Sequence, residues 1–88
     1  MDIVINMKNE DINKKRLLIE LAKRVKSLRK ERGLTQENCL NDTGIQFSRI
    51  EQGKRNISFT TLYEICNYFN ISLTEFFANH FDNIDDGK

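Results

Sequence analysis

The sequence predicts an all-α fold of five helices in one small domain. Apolar residues recur at helical spacing, three or four positions apart, and no alternating strand pattern lies between them. Helix caps and glycine or asparagine endings separate these stretches. The 88 residues include six Phe and no Pro, which favours a compact helical domain with an aromatic core.

Predicted helix 1 runs from Asp11 to Arg32. Its apolar stripe recurs at helical spacing and consists of Leu18, Leu21, Ala22, Val25 and Leu28. Gly33 is the predicted cap, and Leu34 is the apolar residue that a Schellman ending places just beyond it.

The residues before helix 1 have a weak strand pattern, with Ile3, Ile5 and Met7 alternating with polar or smaller residues. No partner strand is evident within the chain. Residues 1–10 are therefore predicted to form an N-terminal arm that either frays or pairs with something outside its own domain.

The centre of the chain, Thr35 to Gly53, contains two helix starts close together. Helix 2 is predicted at Gln36–Leu40, followed by an Asn41-Asp42 turn. Thr43 and Gln46 have the spacing of a capping box, which predicts helix 3 at 44–52 with Gly53 ending it. Two short helices joined by so tight a turn form a helix-turn-helix, whose second helix can enter the major groove of DNA.

The last two predicted helices follow similar signals. Ser58 caps helix 4, whose predicted core face consists of Phe59, Leu62, Ile65, Cys66 and Phe69. Ser72 and Glu75 form a second capping box that opens helix 5, predicted to continue through Phe81. The helix-turn-helix domain is thus expected at 11–81, and the acidic residues 82–88 are expected to be a mobile tail.

The net charge of +1 conceals an uneven distribution. The stretch from Lys8 to Arg55 has thirteen basic and seven acidic residues, whereas the chain from Asn56 onward has a net charge of −4. This division indicates one surface for a polyanion, although lysines and arginines that merely solvate helix 1 would give the same count.

Other classes of protein fit the sequence poorly. Cys39 and Cys66 are expected to be free buried thiols in a reducing cytoplasm, and His80 is the only further candidate for a metal ligand. We therefore expect no metal or cofactor. No nucleophile motif or phosphate-cradling glycine loop points to an enzyme. No apolar run approaches the about 20 residues that span a membrane.

The segments KSLRKERGLTQEN, RIEQGKRN and the run from helix 4 to helix 5 resemble the lambda-repressor-like helix-turn-helix family, the Cro/C1-type or xenobiotic-response-element-type regulators. The similarity covers Leu17 to about Phe77. One departure is a deficit of about three residues between Gln36 and Gly53. The Thr43–Gln46 capping box predicts that this deficit shortens helix 2 and the turn, leaving helix 3 complete.

The resemblance implies which residues contact DNA. Those expected to contact bases are Gly44, Ile45, Ser48 and Arg49. Those expected to contact the DNA backbone are Gln36, Thr43, Lys54, Arg55 and Asn56. Surface ion pairing of Arg49 and a merely solvated basic turn at 54–56 are the alternatives.

The resemblance also implies an ion pair between Arg29 and Glu51 that joins helix 3 to helix 1. Phe77, His80 and Phe81 share a face of helix 5 and are predicted to form a two-fold dimer interface, unless they belong to the ordinary core.

Two functions remain open at this point. The first is a DNA-binding transcription regulator, a repressor that binds a palindromic operator as a homodimer. The second is an antitoxin or adaptor that holds a protein partner through the arm or helix 5.

Overall fold

The computed structural model describes residues 3–78, 80 and 81, and this part of the chain is all-α. Five helices follow one another: α1 at Ile3–Glu31, α2 at Gln36–Thr43, α3 at Phe47–Ile50, α4 at Phe59–Phe69 and α5 at Leu73–Phe77. The predicted fold class is therefore confirmed. The predicted tail, 82–88, lies outside the described residues.

Helix α1 begins eight residues earlier than predicted, at Ile3. The prediction of a strand-like pattern in the arm was therefore wrong, because its residues from Ile3 onward continue the helix. Helix elongation adds one hydrogen bond for each residue fixed, and no Gly or Pro interrupts the sequence before Gly33. No helix among the described residues is long and apolar enough to cross a membrane.

The core lies where α1, α2, α3, α4 and α5 converge. Its buried residues are Val25, Leu28, Cys39, Phe47, Ile50, Leu62, Ile65, Cys66, Phe69 and Phe76. Phe47 and Phe69 meet edge to face with ring centroids 5.8 Å apart, which fixes α3 against α4. Cys39 and Cys66 are free and buried, as predicted.

Phe59 does not belong to this core, contrary to the sequence prediction. Its residue surface is 69% exposed, whereas Leu62, one turn later, is buried. Phe59 is the first residue of α4, and the buried face of that helix begins only at Leu62.

The ends of α1 and α4 share one geometry. Gly33 has a left-handed backbone with φ 68°, and the amide of Leu34 donates to the carbonyl of Arg29 over 3.1 Å. Asn70 has φ 59°, and the amide of Ile71 donates to the carbonyl of Cys66 over 3.0 Å. Both are the Schellman endings predicted from sequence.

The start of α5 is as predicted but its end is not. The Ser72–Glu75 capping box is present, with both reciprocal bonds. The helix ends at Phe77, because Ala78 adopts an extended backbone with ψ 124°. Phe81 then folds back, and its ring stacks on Phe76 with centroids 6.0 Å apart. Packing of the aromatic rings thus replaces the last predicted helical turn.

Candidate functional site

The turn between α2 and α3 differs from its predicted form. Thr43 is the last residue of α2, and its hydroxyl donates to the carbonyl of Cys39 over 2.7 Å. The same hydroxyl accepts from the amide of Ile45 over 3.0 Å. The predicted capping box of Thr43 and Gln46 is therefore wrong, since Thr43 closes one helix instead of opening the next.

Gly44 explains why α2 continues this far. It has a left-handed backbone with φ 78°, and its amide donates to the carbonyl of Leu40 over 2.8 Å. Glycine adopts this conformation without a Cβ penalty, so it ends a helix that the Thr35–Asn38 capping box has begun. The predicted Asn41-Asp42 turn is helical for the same reason.

Helix α3 is a single turn of four residues. Gln46 precedes it with φ −82° and ψ 84° and makes no side-chain capping bond. Compared with the prediction, α2 has gained three residues at its end, and α3 lacks the three residues 44–46 at its start and the two residues 51–52 at its end. The prediction that helix 3 is complete was thus wrong, and the deficit falls in the turn and α3.

The predicted base-contacting residues divide into two pairs. Ser48 and Arg49 are exposed on α3, while Phe47 and Ile50 hold that turn in the core. Gly44 and Ile45 lie in the turn before α3, where Gly44 is exposed and Ile45 is partly buried against the core.

Gln46 is a further exposed polar residue beside this pair, and it is not among the contact candidates predicted from sequence. The sequence prediction had assigned the Gln46 side chain to a capping box with Thr43, so it was not considered as a candidate for contact with DNA. Its position directly before Phe47 and Ile50, the apolar pair expected to face the core, is the sequence signal that would have placed it beside the exposed face.

The ion pair of Arg29 and Glu51 that the sequence predicts is present in the structure. Nε of Arg29 donates to Oε2 of Glu51 over 2.7 Å, and Nη2 donates to Oε1 over 2.8 Å. The side chains are only 10% and 4% exposed. The hydrogen bond to Glu51 raises the pKa of the Arg29 guanidinium.

The backbone-contact candidates have different surroundings. Nε2 of Gln36 donates to Oε1 of Glu51 over 2.9 Å, which adds α2 to the ion pair. The loop residues Lys54, Arg55 and Asn56 are exposed just beyond α3. The Thr43 hydroxyl already donates within α2.

An open cleft of about 440 Å³ lies between α1, the start of α2 and α3. Its lining combines cationic and neutral hydrogen-bonding side chains around the ion pair: Lys26, Arg29, Lys30, Thr35, Gln36, Ser48, Glu51 and Gln52. Ser48 thus belongs both to the exposed face of α3 and to the wall of this cleft.

The predicted dimer residues form part of an aromatic cluster at the end of the chain. Phe77 and Phe81 meet with ring centroids 5.1 Å apart, and each also contacts Phe76. Phe76 is fully buried, Phe77 is 41% exposed, and His80 and Phe81 are partly buried. The cluster therefore combines core packing with an exposed aromatic edge.

Arg24 and Arg32 have structural contacts that the sequence analysis did not anticipate. Nε of Arg24 donates to the carbonyl of Phe76 over 2.8 Å, and Nη2 of Arg32 donates to the carbonyl of Phe69 over 2.7 Å. Each guanidinium also lies over the ring of the same phenylalanine. Arg24 of α1 binds the carboxyl end of α5, and Arg32, the residue after α1, binds that of α4; free carbonyls at these ends favour a cation.

Comparison with known proteins agrees with this arrangement. A family model described as a helix-turn-helix domain matches residues 22–80. Comparison with curated proteins gives no match, and comparison with solved structures gives none either. Because the family match covers more than half of the sequence and includes all of α2 to α5, the chain belongs to the helix-turn-helix domain family.

Proposed function

We propose that the chain is a sequence-specific DNA-binding transcription regulator. The observation that carries the proposal is the exposed pair Ser48 and Arg49 on α3, the helix that follows the turn. Phe47 and Ile50 on the same turn are buried, so the pair is presented on a fixed support. A helix held in this way can enter the major groove.

Arg49 is the proposed main base-reading residue. Its planar guanidinium can donate two parallel hydrogen bonds to O6 and N7 of guanine, which a lysine ammonium does not reproduce. Ser48 is its neighbour on α3 and can donate to or accept from a base edge. Gln46 extends this polar surface at the start of the helix.

Gly44 and Ile45 have smaller proposed roles. A Cβ built on Gly44 would have no neighbour within 4 Å, so the backbone at this point has room for a close approach to DNA. Ile45 is partly buried, which leaves only part of its side chain for contact with a thymine methyl.

Phosphate contacts are proposed for Gln36, Lys54, Arg55 and Asn56, which would position the domain on the duplex. The second amide N–H of Gln36 is available for this, because only one is needed for the bond to Glu51. Thr43 fits such a contact less well, because its single hydroxyl proton already bonds the Cys39 carbonyl.

We further propose a homodimer formed through Phe77, His80 and Phe81. The exposed edge of Phe77 next to the buried Phe76 offers a surface that two copies could share about a two-fold axis. Such a dimer would place two α3 helices ~34 Å apart on a palindromic operator. Promoter occupation would then make the protein a repressor, and the free thiols fit a cytoplasmic location.

Selection from a random duplex DNA pool tests the base-reading proposal with three proteins: wild type, Arg49→Ala and Arg49→Lys. Wild type should enrich a palindrome. Arg49→Ala should bind it about 1–3 kcal/mol more weakly and lose preference at one base pair. Arg49→Lys keeps the charge, so it should lose that preference while retaining the salt dependence. No enrichment by folded wild-type protein would contradict sequence-specific binding.

A second candidate is an antitoxin or adaptor that binds a protein partner. The single turn of α3 offers a small surface for base contacts, and Phe77 on α5 is 41% exposed. Contacts through the amino end of α1 or through α5 would serve this role. Salt dependence distinguishes the two, because DNA binding weakens with slope about −0.9 for each phosphate contacted.

A further inference from the structure

The basic residues from Lys23 to Arg32 divide into two groups with different surroundings. Arg24, Arg29 and Arg32 bind carbonyl or carboxylate oxygens elsewhere in the fold. Lys23, Lys26 and Lys30 are instead exposed, and their side chains make no hydrogen bond or ion pair with the described residues. Spacings of three and four residues place these lysines on one face of α1. We call them the α1 lysines.

The α1 lysines border α3 and the turn that follows it along a groove made of two clefts. Lys26 and Lys30 line the cleft beside Ser48, and Lys23 and Lys26 line a neighbouring cleft of about 180 Å³ that reaches Gly53. Lys26, Glu51 and Gln52 line both. The groove therefore runs from the start of α2 to the loop that begins with Lys54 and Arg55.

The groove is cationic throughout. Glu51 is the only acid in either lining, and both of its oxygens bond Arg29. That pair has no net charge, so the α1 lysines leave the groove with a charge of +3. A cleft lined by charges of one sign concentrates its potential and attracts an oppositely charged ligand.

The length of the groove suits a nucleic-acid strand. Lys23 and Lys30 are seven residues apart, which is ~10 Å along a helix at ~1.5 Å for each residue. Each strand of B-DNA rises ~3.4 Å along the duplex axis for each phosphate, and its phosphates lie further apart than this along the strand itself. A span of ~10 Å therefore lets the α1 lysines reach neighbouring phosphates of one strand. The loop residues Lys54 and Arg55 extend the same charge beyond Gly53.

We propose that the groove between α1 and α3 binds the phosphates of one DNA strand, with the α1 lysines as the contacting residues. The inference rests on the proposed function, since it assigns α1 to the same DNA complex. Phosphate contacts from the α1 lysines would also compensate for the small surface of α3. The lysines would supply affinity and register, while Ser48 and Arg49 would supply base discrimination.

Charge-removing substitutions test this proposal. The triple variant Lys23→Gln, Lys26→Gln, Lys30→Gln is compared with wild type on the selected duplex over a series of salt concentrations. The slope of log affinity against log salt should become shallower by about 0.9 for each lysine, or about 2.7 in all. Base preference should not change, and replacement of the same lysines by Arg should retain the slope.

Lys14→Gln is the matched control. Lys14 is exposed and lies on the opposite face of α1 from the α1 lysines. The Lys14→Gln variant should therefore have the same slope of log affinity against log salt as wild type. Circular dichroism and thermal melting establish that the triple variant is folded. Gln is a good helix former at these exposed positions, so folding should be retained.

The outcomes separate this inference from the proposed function. If wild type binds the duplex and the folded triple variant has the same slope of log affinity against log salt, the groove proposal is overturned but the proposal of DNA binding is not. If folded wild type binds no duplex DNA even at low salt, the proposed function fails and the groove proposal fails with it. Equal losses for Lys14→Gln and for single α1-lysine variants would also overturn the groove, because charge alone would then explain the effect.

Discussion

Arg29 and Glu51 form a two-point ion pair that joins the first helix to the residue directly after α3. The two bonds are 2.7 and 2.8 Å long, and Nη1 of Arg29 also donates to the carbonyl of Leu34 over 2.8 Å. Gln36 brings α2 into the same network. This network therefore fixes three helices relative to one another, and the two side chains of its ion pair are only 10% and 4% exposed.

Glu51→Ala should destabilise the domain by about 3–5 kcal/mol, because Arg29 would keep its charge in a buried site without a partner. Urea unfolding followed by circular dichroism measures the change. Glu37→Ala is the control, since Glu37 is exposed on α2 and should matter little. The double variant Arg29→Met, Glu51→Leu should be more stable than Glu51→Ala, because no unpaired charge remains. An unchanged midpoint for Glu51→Ala would refute the structural role of the pair.

Gly44→Ala should cost about 1–2 kcal/mol, because a side chain at φ 78° is strained even where space is open. Gly44→Asn should cost less, since Asn tolerates this conformation better.

Gln46→Ala distinguishes the observed turn from the capping box expected from sequence. It should be nearly neutral, because Gln46 makes no capping bond. A loss of about 1 kcal/mol in Gln46→Ala would instead support the capping box.

Tyr68→Phe should lower stability at neutral pH by about 1 kcal/mol, because the Tyr68 hydroxyl donates to Oδ2 of Asp42 over 2.6 Å. Tyr63→Phe is the matched control, since Tyr63 is exposed on the same helix. Thermal melting of the three proteins at one pH measures the difference. Equal losses in both variants would show that the bond to Asp42 contributes nothing.

The contribution of Tyr68 should also depend on pH. Its hydrogen bond to Asp42, and then burial, hold the pKa of the phenol well above the ordinary value in the folded state. The unfolded phenol loses its proton near pH ~10. Stability from this group is therefore complete below pH ~10 and declines as pH rises further. The difference between wild type and Tyr68→Phe should shrink above pH ~10, and a difference that grows there would contradict this account.

The two thiols should be protected in the folded protein. Cys39 and Cys66 are 0% and 1% exposed, and burial raises the pKa of each thiol. Because the thiolate is the reacting form, a thiol-specific disulfide reagent should label native protein slowly at pH 8 and both cysteines promptly in urea. Prompt labelling of either cysteine without urea would mean that the core opens locally.

Local signals predicted most of the fold. The apolar stripe of α1 from Leu21 to Leu28, the endings at Gly33 and Asn70, and the caps at Ser58 and Ser72 depend on neighbouring residues alone, and all are present. Leu18, the first residue of the predicted stripe, is only partly buried and lies outside the core. The centre of the chain was mispredicted because two local signals compete there. Thr43 can open a helix or close one, and the left-handed Gly44 together with the core positions of Cys39 and Phe47 selects the second.

Local sequence patterns could not predict contacts between residues far apart in the chain. Arg24 bonds a carbonyl 52 residues away, and Arg32 bonds one 37 residues away. From the sequence alone, Arg24 and Arg32 were grouped with the basic residues of a surface predicted to bind a polyanion. Only the fold shows that these arginines are used internally, while the lysines beside them stay exposed.

The single turn of α3 has a consequence for how the chain folds. Forming the first turn of a helix is unfavourable, and four residues add no further turns to compensate. Phe47 and Ile50 must therefore find their core partners on other helices before α3 gains stability. We expect α3 to form after the transition state, so that substitutions within it accelerate unfolding and leave the folding rate almost unchanged. The part of the surface that is proposed to contact bases would then form only after the transition state.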